Sequence, residues 1–106
     1  MLVKPSYVYV STYQNGVDFS VHTDRVQCEY SITMLIDHAP ELKERSPWSL
    51  YLETPKGTVP IHQHIGESLF YRGREIPHYR TRLPNGMSST SIFFHYVDVN
   101  FNGSLD

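Results

Sequence analysis

The sequence has a single cysteine, Cys28, and that scarcity removes two architectures at once. An intrachain disulfide framework needs paired thiols and a cysteine-rich zinc site needs several, so the fold must be held by its packed core. One thiol also suits a reducing compartment. Long apolar runs are missing as well. The opening Met1-Leu2-Val3-Lys4-Pro5 offers no signal-peptide core, and no stretch approaches the roughly 18 apolar residues of a membrane span, so a cytoplasmic protein with no membrane partner is expected. Charge of one sign is lacking: nine Lys and Arg face eleven Asp and Glu, a formal net charge of -2. With no basic run, there is no electrostatic footprint for nucleic acid. Helical periodicity is the last absence. The charged stretch between Pro40 and Pro47 is flanked by helix breakers and reads as a solvated loop.

What is present points to strands. A chain of 106 residues is expected to form one domain, 1–106, with a single core. Eight Tyr and five Phe, within an aromatic share of 13%, favour a sheet-rich interior. Runs of alternating or β-branched and aromatic residues predict strands over 6–11, 17–22, 30–36, 48–53, 58–62, 68–71, 78–83 and 90–97. Gln14-Asn15-Gly16, Pro55-Lys56-Gly57 and Pro84-Asn85-Gly86 supply turns between them. About eight short strands with little helix and no internal repeat predict an all-β jelly roll, the double-stranded β-helix, whose two facing sheets shelter a cavity. Strands distant in sequence pair in such a fold, so the second and seventh can be neighbours.

That neighbourhood matters because of three residues. His22 and Asp24 lie two apart in an extended segment and so point to one side, and His78 in the seventh strand offers a third ligand. Two imidazoles and one carboxylate on one face of a metal, with the remaining positions open, form the ligand set of non-haem Fe(II) oxygenases. A second candidate is His62-Gln63-His64 with Glu67, a near miss of a cupin metal motif that His78 could complete. His38 reads as solvated, His95 as a hydrogen-bonded core or cavity residue in the apolar last strand, and Cys28 as a small buried side chain. Trp48 and the Tyr-rich first strand read mostly as core and sheet surface, with some positions lining a substrate mouth.

Taken together, Tyr13-x-x-Gly16, His22-x-Asp24-Arg25, Cys28-Glu29-Tyr30-Ser31, Trp48, the run from Gly66 to Gly73, Glu75-Ile76-x-His78-x-Arg80 and Phe94-His95-Tyr96-Val97 resemble the Fe(II)/2-oxoglutarate-dependent dioxygenases of the prolyl-4-hydroxylase-like group. The resemblance runs from about Tyr7 to Val97. It implies a double-stranded β-helix in which His22, Asp24 and His78 ligate Fe(II) and Tyr13 touches the carboxylate of the cosubstrate 2-oxoglutarate. It further implies a reaction in which O2 and 2-oxoglutarate give succinate, CO2 and a hydroxylated peptide or small-molecule substrate. In one respect the chain departs from the group. The place of the Lys or Arg that pairs with the far carboxylate of 2-oxoglutarate is held by Ser88, among Ser89, Thr90 and Ser91. Arg80, two residues after His78, is the best substitute, and Arg82 shares its strand parity. Two alternatives stand beside this reading: a cupin-like metalloprotein with its metal at His62 and His64, and a catalytically silent jelly-roll binding module. A short all-β domain also has edge strands to protect, and pairing them in a homodimer is one solution.

Overall fold

Alternation along the strands sets the layers. The inward positions of the last strand are Ser89, Ser91, Phe93, His95 and Val97, all but Phe93 buried, while the residues that alternate with them face outward. The computed structural model describes residues 2–105. It contains β1 (Val3–Tyr13), β2 (Phe19–His22), β3 (Tyr30–Ala39), β4 (Leu50–Thr54), β5 (Gly57–Ile61), β6 (Ser68–Tyr71), β7 (His78–Arg80) and β8 (Ser88–Asp98). One four-stranded sheet has the order β1-β8-β3-β6 and the other β2-β7-β4-β5. Every pairing is antiparallel, giving the predicted all-β jelly roll. No helix occurs among the described residues, and so none long and apolar enough to cross a membrane.

The predicted strands form in the predicted order, with shifted ends. β3 runs three residues beyond its expected limit, because a bulge between Leu35 and Asp37 lets pairing with β8 continue to Ala39. The bulge also reverses parity. His38, expected in solvent, therefore turns inward opposite Ser89 and is buried, its Nδ1 lying 2.7 Å from the Pro40 carbonyl. β4 starts at Leu50, which leaves Trp48 ahead of the strand, where its indole donates to the Thr81 carbonyl at 2.6 Å. β7 is short and ends at Arg80 rather than Leu83.

Between the sheets, Leu50, Leu52 and Tyr71 form the central cluster, with Ile61, Leu69 and Ile76 packed against it. Leu83 and Val97 have no exposure at all. The backbone of Leu83 ties the first turn to the end of β7: its N–H donates to Val17 at 2.8 Å and its carbonyl accepts from Gly16 at 3.2 Å. Gly16 makes that turn in the left-handed region, at φ 80. Leu83→Ala is expected to cost roughly 2–5 kcal/mol through lost burial and an uncollapsed void. Urea denaturation measures it; a loss below about 1 kcal/mol would mean that the site collapses freely.

Outside the first sheet, Val8, Phe94, Ile32 and Phe70 lie in one cross-strand row. Val8 and Phe70, on the two edge strands, are more than half exposed.

Candidate metal centre

β2 and β7 pair with His22 opposite His78, so the two imidazoles leave neighbouring strands toward the same interior. Their rings lie 4.5 Å apart, centroid to centroid. Asp24 sits two residues beyond the end of β2, and its N–H donates to the Gly73 carbonyl at 2.9 Å. The facing loops are further clamped by the Arg74 N–H on the Cys28 carbonyl at 2.9 Å and by an Arg74–Glu29 ion pair at 3.0 Å. Asp24 is thereby placed by backbone on both sides. Its Oδ1 lies 3.1 Å from His78 Nε2 and 3.6 Å from His22 Nε2. One ligating atom from each of the three residues falls within 4.8 Å of the others.

The tautomers follow from the partners. His22 Nδ1 is 2.7 Å from the Ser20 carbonyl and His78 Nδ1 is 2.7 Å from the Ile76 carbonyl. A carbonyl can only accept, so each neutral ring carries its proton on Nδ1 and presents the Nε2 lone pair to Asp24. Two lone pairs and a carboxylate oxygen aimed at one point repel each other unless a cation sits among them. The donor chemistry therefore fits a divalent metal. The site is also open on one side: the side chain of His22 is 44% exposed, against 5% for His78.

Without a metal, the Asp24 carboxylate favours the protonated form of His78. Burial alone would lower the pKa of His78, but the Asp24 carboxylate and the Ile76 carbonyl together outweigh it and raise the value above the ordinary 6.5. A pKa higher in the folded state stabilises the fold at pH values below the unfolded value, and that contribution disappears as pH rises through the folded value. The metal-free protein is expected to lose thermal stability as pH is raised from about 6 through neutrality. A Tm that stays level over that range in the wild type would show that Asp24 does not hold the proton.

Beside the three ligands lies a cavity of about 90 Å³ whose walls include Tyr13, Phe19, Tyr71, Arg80, Phe93 and His95. Burial pushes the Tyr9 phenol up to about 12, with Tyr13 and Asp24 adding to the effect, and raises Tyr71 further. Both face the site as neutral hydroxyls. Tyr13 packs edge-on against Phe19 and Trp48, with centroids 5.1 and 5.7 Å away. Arg80 stacks on the Trp48 ring at 4.6 Å and donates to the Trp48 carbonyl at 3.0 Å. Among the described residues no carboxylate lies within ion-pair distance of its guanidinium. Burial lowers its pKa, opposed by Tyr13 and Tyr71, although a guanidinium keeps its charge at any physiological pH.

Other expectations fall differently. Arg82 does not share the cavity: β7 stops at Arg80, the alternation it would have followed ends there, and Arg82 is exposed with its guanidinium beside Gly16. Ser88 lies away from the ligands, in a shallow pocket with Gln14, Asn15, Gly86 and Met87. The inward residues at that end of β8 are Ser89 and Ser91, so this part of the strand supplies no cation. The cupin-type set at His62 and His64 does not assemble among the described residues. His62 Nδ1 lies 3.0 Å from the Ser46 carbonyl, and His64 Nδ1 accepts from the Ile65 N–H at 2.7 Å. Glu67 is taken by Arg45 through two bonds of 2.9 and 2.8 Å, and His78 belongs to the other cluster.

Two features were not singled out from sequence. Gly73 is required by proximity, since a Cβ there would stand 2.3 Å from Asp24 Oδ2 and 2.7 Å from Ser31 Oγ. Asp24, Cys28 and His95 form a second set of donors within 4.8 Å of one another. No spacing in the chain announces either, because each depends on loops meeting strands far away in sequence.

Comparison with known proteins defines the class. No protein-family profile and no curated protein sequence matches the chain. Among solved structures, a prolyl-4-hydroxylase of Pseudomonas putida superposes with a TM-score of 0.63 at 18% identity, over 86% of this chain and 50% of that one. The chain thus spans about half the length of that hydroxylase. A cupin domain of Bordetella pertussis Tohama I superposes with a TM-score of 0.54 at 13% identity, over 91% of this chain and 92% of that one. The fold is a jelly roll like that of this hydroxylase and this cupin domain, and it carries a candidate His/Asp metal site.

Proposed function

We propose that this chain is an Fe(II)- and 2-oxoglutarate-dependent dioxygenase that hydroxylates a peptide or small-molecule substrate. The observation that carries the reading is the pairing of two features in one cavity. Three metal donors converge at His22, Asp24 and His78, and beside them the buried Arg80 guanidinium has no carboxylate partner among the described residues. A desolvated cation facing a metal site is costly by itself and is stabilised by an anion that binds both. A keto acid with two carboxylates has that shape.

His22, Asp24 and His78 would hold Fe(II). Bound there, the metal and cosubstrate supply oxidative decarboxylation coupled to hydroxylation of a C–H bond. The protein's own part is binding and exclusion. Arg80 would pair with the distal carboxylate from β7, doing from that strand what β8 cannot do with serines. The Tyr13 hydroxyl donates to the cosubstrate carboxylate, and Phe19, Phe93 and Tyr71 keep the cavity dry. The Ser20 and Ile76 carbonyls fix both imidazoles with Nε2 toward the metal.

Anaerobic titration of Fe(II) into metal-free protein, with and without 2-oxoglutarate, tests this through the weak visible charge-transfer band of the chelated keto acid. The band is expected, followed by succinate formation on admitting O2. Arg80→Met is expected to leave Fe(II) affinity in place and weaken 2-oxoglutarate binding by roughly 2–5 kcal/mol, the usual loss when one partner of a buried charge pair is removed. Iron binding without the band would replace this reading with a metal-binding module that has no oxoglutarate site.

A further inference from the structure

Asp24 has two oxygens, and the dioxygenase reading uses one. Oδ1 faces the two imidazoles, while Oδ2 points toward Gly73 and Ser31, the side on which His95 lies. There Asp24, Cys28 and His95 bring one ligating atom each to within 4.8 Å of the other two. Cys28 and His95 are 2% and 3% exposed. His95 Nδ1 lies 2.9 Å from Ser31 Oγ, but its Nε2 is buried with no hydrogen-bond partner among the described residues. An orphaned imidazole nitrogen in the interior is unfavourable and calls for an occupant. The Tyr7 hydroxyl stands 2.8 Å from Cys28 Sγ, placed to donate to a thiolate. Tyr7 also packs at a tilt against the His95 ring, with centroids 4.6 Å apart, so both donors are contacted from one side.

From this geometry we infer that Asp24, Cys28 and His95 form a second metal site, for a borderline-soft divalent ion of the zinc type, which shares the Asp24 carboxylate with the first. Thiolate, imidazole and carboxylate are the donors zinc takes, and a thiolate selects against magnesium and calcium. Ligand atoms around a tetrahedral zinc stand roughly 3.5 Å apart, so movements of about 1 Å close the set. On binding, the Cys28 thiol forms an S–metal bond and its proton leaves to solvent. The Tyr7 O–H then donates to the sulfur, and His95 gives the ion the lone pair of one ring nitrogen. The inference rests on the placement of Asp24 and not on the dioxygenase reading.

Cobalt(II) is the probe, because a thiolate ligand gives it an intense near-ultraviolet charge-transfer band that imidazole and carboxylate do not. Titration of the metal-free full chain under nitrogen is expected to show two equivalents bound, one of them carrying the thiolate band. Cys28→Ser, nearly the same shape, is expected to lose the band and retain one equivalent, and His95→Gln to weaken the banded equivalent at least tenfold. The double variant His22→Ala/His78→Ala is expected to lose the other equivalent and keep the band. A wild type with no thiolate band, whether it binds one equivalent or two, would overturn the second site, as would a band that persists in Cys28→Ser. Failure of the first site shows separately, as a single banded equivalent that the double variant leaves unchanged.

Discussion

Asp24→Ala should abolish metal binding more completely than any other single substitution in the molecule. The carboxylate is the anionic member of the His22, Asp24 and His78 set and also belongs to the set with Cys28 and His95. Outer partners of metal ligands are worth roughly 10–100-fold in affinity, so loss of a charged ligand should exceed about 100-fold. Calorimetric titration with Fe(II) under nitrogen, and with Zn(II), measures both sites. Asp24→Asn separates charge from shape, because the amide retains one oxygen but removes the negative charge that holds the cation. An affinity in Asp24→Ala within a few-fold of wild type would place the metal elsewhere. Titration of His62→Ala would then identify the alternative.

The second large effect is expected at a residue with no side chain. A methyl group on Gly73 would stand 2.3 Å from Asp24 Oδ2 and 2.7 Å from Ser31 Oγ, distances at which the backbone or the carboxylate must move. Overpacking of this kind typically costs roughly 1–3 kcal/mol. Here it should also turn the Asp24 carboxylate away from His78, lowering metal affinity on the scale of roughly 10–100-fold expected when a ligand loses its orientation. Gly57→Ala is the control. Gly57 has a φ of 118 with nothing within 4 Å of a built Cβ, so alanine there strains a distant turn and leaves metal affinity unchanged. Denaturant unfolding and metal titration of both variants make the comparison. Equal metal affinity in the two would show that Gly73 does not shape the site.

Both expectations concern places where the sequence is only partly informative. His22 and His78 can be suspected from strand parity and a jelly-roll topology, and the pairing of β2 with β7 brings them opposite each other. The parity argument for Asp24 holds in outcome for a different reason, since β2 ends at His22 and the Gly73 carbonyl positions the next turn of chain. Arg80 and Arg82 look alike on paper. A strand that ends after Arg80 buries one against Trp48 and leaves the other in solvent. His62 and His64 carry ligand chemistry as good as any in the chain, yet each is occupied by a nearby carbonyl, hydroxyl or amide.

By itself the sequence determined the all-β class, the number and order of strands, most of the residues that face inward, and the turns that divide them. These depend on a period of two and on glycine and proline conformations, which act over a few residues. Only the tertiary structure decided which inward side chains meet. Register, bulges and strand ends are set by pairing between segments as far apart as β1 and β8, and one residue of slip moves a side chain to the other face, as the bulge before His38 shows. The two oxygens of Asp24 face different donors for the same reason: the loop that carries it is held by contacts its own sequence does not contain.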